Sequence, residues 1–521
     1  MTSIILSHKN KIFVFLLTIF SVIINQYYGN KGIFPIDSFH FFDSGYRILK
    51  GEVPFLDYWV VKGPLLDYLQ AGFFYIFGEN WQAYVFHASF FNAFTTLATF
   101  YVLKTYKLKT NLVFLYSLSF CILAYPSSGT PFIDHHSAFF SLLAVYSFLL
   151  AINSNKRIYW ILIPILLSLS FLSKQVPAGY VIISLFFTLV LYFYIKRNIE
   201  KIKYLVISSI LFIFFIICFG VLNGINFSDF TNQFFLYPQT IGSLRFSNLD
   251  FSLKNIIENF IIIYAVLLPL FFINLKNALN KKKYFYHNQF FTFTILFLFT
   301  LSLILHQLLT KNQTFIFFLI PILAAFSHQS FQDLNFKFKK IISIFLILTV
   351  IFATFKYHLR FNEGRKFHEL ESVNFDLAIK ANEIHENLSG LKWITPHFPK
   401  QPSHEINQIK QILNILENDK GKKMVISNYP IFSLILKQKL FSPSRVYTGD
   451  GTTHPLPENR FYKNYEILMQ RIIDKNNIET IYMINITGED INFSYLNSYK
   501  NCDKKNILVN SVEVYNLKKC K

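Results

Sequence analysis

Eleven apolar runs divide the first two thirds of this chain, near 12–28, 82–103, 111–125, 135–152, 158–173, 177–195, 204–222, 256–275, 289–307, 313–328 and 340–355. Each approaches the roughly 17–25 residues that a helix needs to cross a bilayer. Backbone in hydrocarbon must satisfy its own hydrogen bonds, so runs of this length fold as spanning helices. Only 15% of the 521 residues are charged, against about a quarter in soluble proteins. The sequence therefore predicts a mainly α, polytopic transmembrane bundle over 1–355. The first run follows the basic start His8-Lys-Asn-Lys11 and precedes no small-residue cleavage site, so it is read as a retained span.

The net charge of +20 does not mark a nucleic-acid protein. Its basic residues fall in short clusters between apolar runs, the pattern that orients a membrane protein, and no basic face with interleaved aromatics occurs. With the N-terminus cytoplasmic, the inner loops hold eighteen Lys and Arg and the outer ones eight. Acidic residues divide the other way, with Glu200 and Asp333 inside and ten outside. An odd number of spans puts 356–521 outside. There the composition turns polar, with helical patterns at 403–418, 429–438 and 460–475 and strand-like runs at Met424–Ser427, Thr480–Ile486 and Ile507–Tyr515. That alternation predicts a small extracytoplasmic α/β domain. Cys502 and Cys520 flank its end and can pair if it lies in an oxidising compartment. Its Thr448-Gly-Asp-Gly-Thr-Thr-His454 stretch looks like a phosphate cradle but lacks the strand-to-helix context, and is read as a plain turn.

The first outer loop, 29–80, concentrates the chemistry. Asp37, Asp43, Glu52, Asp57, Asp67 and Glu79 are half of the twelve acidic residues before position 356. Two amphipathic helices are expected here, Ser38 to Lys50 and a second after Gly63-Pro64, both lying along the outer membrane surface. Ionisable groups at a membrane edge are costly unless paired or hydrated, which makes them site candidates. On the outer side these are Asp37, His40, Lys62, Asp134-His135-His136, Lys174-Gln175, Arg245, His306 and Lys311. Asp37 suits a general base or, equally, a helix cap. Lys174 and Lys311 sit in short outer turns, where a lipid phosphate is the natural anionic partner and snorkelling the alternative. Arg245 can hold such a phosphate bidentately. A divalent cation on Asp37 and His40, or on Asp134 and one histidine, stands beside the reading of these histidines as structural.

Asp37, Gly-Tyr-Arg-Ile-Leu-Lys-Gly51, Val-Pro-Phe-Leu-Asp-Tyr-Trp59 and Lys-Gly-Pro-Leu-Leu-Asp-Tyr-Leu69 resemble the first outer loop of GT-C glycosyltransferases. The likeness is to bacterial relatives of the protein O-mannosyltransferases and of the lipid A aminoarabinose transferase. Asp134, Ser173-Lys-Gln175 and His306 through Pro321 resemble the same pattern. The resemblance implies a multi-pass protein of a bacterial inner membrane. It implies inverting transfer of a sugar from a polyprenyl-phosphate donor to a glycan, lipid or protein acceptor at the outer face. Asp37 would be the base, with Asp43 as substitute because Ser38 stands where many relatives carry Glu. Asp134 would assist, Lys62, Lys174, Arg245 and Lys311 would hold the donor phosphate, and His40, His135, Gln175 and His306 would position substrate. A lipid-linked glycan polymerase or ligase needs similar groups, but its large outer loop tends to come late. A transporter would show internal repeats and ionisable groups at the midplane, and neither is evident.

Overall fold

The computed structural model describes residues 8–154, 156–280, 284–310, 316–332, 338–487, 502–508 and 511–520. Among them, a helix overlaps every one of the expected apolar runs. Eight stretches are long and apolar enough to cross a membrane. Arg157–Ser173 and Leu319–Phe331 are apolar but shorter. Trp81–Thr105 is long yet buries His87, Asn92, Thr95, Thr96 and Thr99. Several of them bond inside the bundle: Asn92 Nδ2 donates to the Cys121 carbonyl at 3.2 Å, and the Thr95 and Thr99 hydroxyls donate to the Phe91 and Thr95 carbonyls at 2.7 and 2.8 Å.

The helix Ile133–Asn153 forms the axis of the bundle, with every residue from Ile133 to Ile152 buried. A helix enclosed on all sides needs no polar face, and small residues let its neighbours close in. Ser137 and Ser141 both meet Ser170 Oγ, at 3.2 and 2.8 Å, locking this helix to Arg157–Ser173. Its first turn thereby holds Asp134 in a fixed place. Ile202–Leu222 is the opposite case, with most of its side chains outward and Ser208 its one buried residue.

The C-terminal part is a small mixed-sheet domain. Strands β1 (Ile379–Lys380) and β2 (Lys392–Trp393) pair antiparallel. Strands β3 (Lys423–Ser427), β4 (Thr480–Ile484), β5 (Asp503–Ile507) and β6 (Val512–Asn516) form a sheet in the order β3-β4-β6-β5. β3 and β4 are parallel, and the helix Tyr462–Asn476 lies between them in the chain. Of the single strand expected over 507–515, Ile507 ends β5 and Val512–Tyr515 belongs to β6, and the two strands pair antiparallel. Alternation alone does not distinguish a strand from a hairpin with a short turn. Cys502 and Cys520 are disulfide-bonded, with a Cα–Cα distance of 4.7 Å.

The first outer loop does not lie free on a surface. Its helix His40–Leu49 buries Phe41, Phe42 and Tyr46, and Phe39, Phe42 and Trp81 share one core with Trp393, Tyr429 and Phe432 of the C-terminal domain. Trp59 N–H donates to the Pro443 carbonyl at 2.8 Å, adding backbone pairing to that contact. The amphipathic pattern was legible, but the apolar face is covered by protein. Only the end of the second helix, Leu65–Phe77, leaves Tyr75, Ile76 and Phe77 exposed.

Candidate active site

After the first span the chain is tethered to β2 and its flank: Gly32 N–H donates to the Lys392 carbonyl and Ile33 N–H to the Ile394 carbonyl, at 3.1 and 3.0 Å. Pro35 then opens a single helical turn, Pro35–Ser38. Ser38 Oγ accepts from Phe34 N–H at 3.1 Å and lies 3.3 Å from His368 Nδ1, which fixes the turn. Asp37 is carried at its edge. The helix-cap alternative is not realised, because no side chain caps this turn or the helix after it. The Asp37 carboxylate makes no hydrogen bond or ion pair among the described residues. Burial pushes it up to about 6, against the pull of Lys62 and Lys174 and with the push of Asp134 and Glu369. A carboxylate left unpaired near neutrality is suited to accept a proton.

Lys62 faces it from the loop segment before Gly63. Burial, then the neighbouring charge of Lys174, brings its ammonium down to about 8, while Asp37 and Asp134 oppose the shift. Gly63 is what allows this placement, since a Cβ there would lie 1.6 Å from the Leu172 carbonyl oxygen. The loop rests directly on the turn that presents Lys174, whose extended backbone breaks the chain between Arg157–Ser173 and Gln175–Lys196.

Lys174 Nζ donates to Asp134 Oδ1 at 2.6 Å, and His306 Nε2 meets the same oxygen at 2.8 Å. Asp134 is almost fully buried and orients Lys174. Lys62, Lys174, Gln175, Arg245 and His306 line one cleft of ≈ 160 Å³, closed on one side by Thr452 of the C-terminal domain. Residues from four separate parts of the chain therefore line one cleft, and two of them, Lys62 and Lys174, act on Asp37 through space. Beside them lies an apolar groove of ≈ 370 Å³ between Pro64, Leu65, Leu172 and the helix Ile202–Leu222.

Several other expected site residues are engaged by protein partners. Asp43 is buried under the C-terminal domain, its carboxylate accepting from Ser433 N–H and Oγ, each at 3.2 Å. It caps the short helix Phe432–Leu436. Gln175 Nε2 donates to the Val61 and Phe234 carbonyls at 3.0 and 2.7 Å, bracing the cleft wall. His135 Nε2 meets Ser127 Oγ at 3.0 Å, so it holds the outer turn 125–131. His40 is buried against Phe41, with Lys62 and Arg445 near enough to hold its pKa down after burial does so. Lys311 lies outside the described residues. Asp134 Oδ1 is occupied by Lys174 and His306, and among the described residues no three His, Cys, Asp or Glu side chains converge on a cation.

Sequence reasoning missed Glu369, Thr452 and Arg365. Glu369 follows the last helical turn and acts on Asp37 through space. Arg365, fully buried, donates to the Pro126, Ser127 and Ser128 carbonyls at 3.0, 3.2 and 3.0 Å and holds the turn before Asp134. A guanidinium that serves carbonyls leaves no complementary charge for a reader of sequence to find.

Residues 61–219 match the family model for dolichyl-phosphate-mannose-protein mannosyltransferase. The crystal structure of ArnT from Cupriavidus metallidurans in the apo state superposes with a TM-score of 0.54 at 11% identity, over 96% of this chain and 97% of that chain. The chain thus shares the ArnT fold along nearly its whole length and resembles the mannosyltransferase family over 61–219. The crystal structure of ArnT from the same organism bound to undecaprenyl phosphate has a TM-score of 0.55 at 10% identity, with the same coverage. No curated protein sequence matches the chain. The family match includes Lys62, Asp134, Lys174 and Gln175 of the cleft, while Asp37, Arg245 and His306 join it only through the fold.

Proposed function

We propose that this protein moves a sugar from a polyprenyl-phosphate donor to an acceptor hydroxyl at the outer face of the membrane, with inversion. The observation that carries the reading is the juxtaposition of an unpartnered carboxylate, Asp37, with a cleft lined by Lys62, Lys174 and Arg245. Asp37 takes the proton of the acceptor hydroxyl as its oxygen bonds to the anomeric carbon. The bond from that carbon to the phosphate oxygen breaks on the opposite side, and polyprenyl phosphate leaves with the electron pair. Three cations around that phosphate stabilise the charge as it grows, an effect strengthened where water is excluded. Asp134 and His306 keep Lys174 aimed at it. The apolar groove beside Gly63 suits the first units of a polyprenyl chain, and an undecaprenyl phosphate is the ligand of the ArnT structure with this fold. The Cys502–Cys520 disulfide and the excess of Lys and Arg in the opposite loops support an outer C-terminal domain.

Asp37→Asn in membranes supplied with labelled donor is the test. Loss of the base is expected to slow transfer by about 10²–10⁴-fold, while binding of bare polyprenyl phosphate persists. Undiminished transfer removes Asp37 from the role of base. Intact donor appearing across the bilayer, with no sugar released from the lipid, would instead mark a transporter.

A further inference from the structure

The Thr448–His454 turn lies at the mouth of the cleft, at the far end of the chain from Asp37. Thr452 lines the cleft together with Lys62, Lys174 and Arg245. Asp450 Oδ1 accepts from Thr448 Oγ1, Thr452 N–H and Thr452 Oγ1 at 2.7, 3.0 and 2.8 Å. Its Oδ2 accepts from none of the described residues, and the side chain is exposed. Partial loss of solvent works to raise this carboxyl, but those hydrogen bonds and the charge of Lys62 hold it below its ordinary value. Asp450 is thus ionised, oriented and within electrostatic reach of Lys62.

The turn is also built to stay there. Tyr237 OH donates to the carbonyls of Gly451 and of His454, the latter at 2.6 Å. Asn459 Nδ2 donates to Thr240 Oγ1 at 2.9 Å. Tyr237 and Thr240 belong to the helix Tyr237–Ser247, which carries Arg245, so turn and arginine are fastened together. Gly451 adopts φ +69°, a conformation that side chains rarely tolerate. A surface turn with no ligand to meet has no need of such anchoring to a phosphate-binding helix.

We infer that Asp450 and Thr452 recognise the hydroxyls of the donor's sugar, so that the C-terminal domain helps set which sugar is transferred. The inference rests on the donor reading above. A sugar linked to a phosphate held by Lys62, Lys174 and Arg245 lies one bridging oxygen away, within the same cleft. A carboxylate and a hydroxyl there are the acceptor and donor groups suited to vicinal hydroxyls.

Full-length protein in lipid, carrying Asp450→Asn or Thr452→Val, tests this with two probes: bare polyprenyl phosphate and its hexose and pentose esters. Melting temperatures equal to wild type qualify each variant. The ester bound best by wild type should bind about tenfold more weakly to Asp450→Asn, as expected for a lost hydrogen bond to a charged group. Thr452→Val should show a smaller loss, and both should bind bare polyprenyl phosphate as wild type does. Equal weakening for both probes assigns the turn to the phosphate and overturns the inference. Unchanged binding with a raised acceptor KM assigns it to the acceptor and also overturns it. If wild type binds neither lipid, the donor reading fails and this inference with it.

Discussion

The first outer loop feeds two charged regions with opposite habits. In the contact with the C-terminal domain, the buried charges among the described residues have partners. Arg47 pairs with Glu52 at 2.6 Å and donates to the Ser442 and Ser444 carbonyls at 2.6 and 3.2 Å. Asp67, fully buried, binds Arg445 and accepts from Ser44 Oγ at 2.5 Å. In the cleft, Asp37 and Lys62 face each other's field and neither forms an ion pair among the described residues. Carboxylates close in sequence thus divide by partnership: the paired ones hold the domain in place, and the unpaired one is left able to react. Charge clustering alone does not make that division. The three-dimensional partners do, and Ser433 and Arg445, which bind Asp43 and Asp67, lie more than 370 residues away.

Breaking the clamp is expected to have the largest effect on stability. Arg445→Ala leaves Asp67 buried without its cation, which costs about 3–5 kcal/mol, read as a lowered melting temperature in detergent. Asp37→Asn removes a charge that has no partner to lose, and its melting temperature should not fall. If the two variants melt equally early, the division between holding and reacting carboxylates does not stand. Gly63→Ala belongs between the regions. Its Cβ would meet the Leu172 backbone, so the loop must lift from the Lys174 turn, with an overpacking cost of about 1–3 kcal/mol. Because Lys62 lifts with it, donor affinity should fall more than the melting temperature suggests, and a titration with polyprenyl phosphate measures that.

The pH profile sharpens the same contrast. Asp37 acts in its ionised form, which predominates above about 6, and Lys62 carries its charge below about 8. Transfer should therefore plateau between these values and fall on both sides, approaching about tenfold per pH unit. Lys62→Gln is expected to lower the plateau and erase the upper limb while keeping the lower one. An upper limb that survives in that variant belongs to another group. Asp43 and Glu52 are also pushed up by burial, but their partners lie in the clamp, so their neutral variants should leave both limbs in place.

The bundle was legible because hydrocarbon imposes long apolar runs, and all of them became helices. Lys62, Lys174, Arg245 and His306 stood out as well, since ionisable groups at the outer membrane edge are few. Their convergence did not: it depends on Gly63 touching Leu172 and on Tyr237 holding the turn at Gly451, contacts with no local signature. Asp43 is ambiguous in sequence for a related reason. Its position in an amphipathic helix near Asp37 looks the same whether it meets solvent, substrate or Ser433. The 448–454 stretch is a turn, as its composition indicated, and its place over the cleft follows from the path of the whole C-terminal domain.

The smallest expected effect comes from the last acidic residue of the loop. Glu79 pairs with Lys50 at 3.2 Å, with both side chains substantially exposed. Solvent screens such a pair, and fixing two flexible side chains offsets most of the attraction, so surface pairs contribute only about 0–1 kcal/mol. Glu79→Ala should leave transfer rate, pH limbs and donor binding at wild-type values and shift the melting temperature by a degree or less. That null result is informative because Glu79 belongs to the same acidic cluster as Asp37 and Asp67. A large loss of transfer in Glu79→Ala would mean that the loop acts through its summed negative charge. In that case Asp57→Ala, whose partner Lys475 is likewise exposed, should show the same loss. If both are silent while Asp37→Asn and Arg445→Ala are not, partnership and burial, not the density of carboxylates, decide what each residue of the loop does.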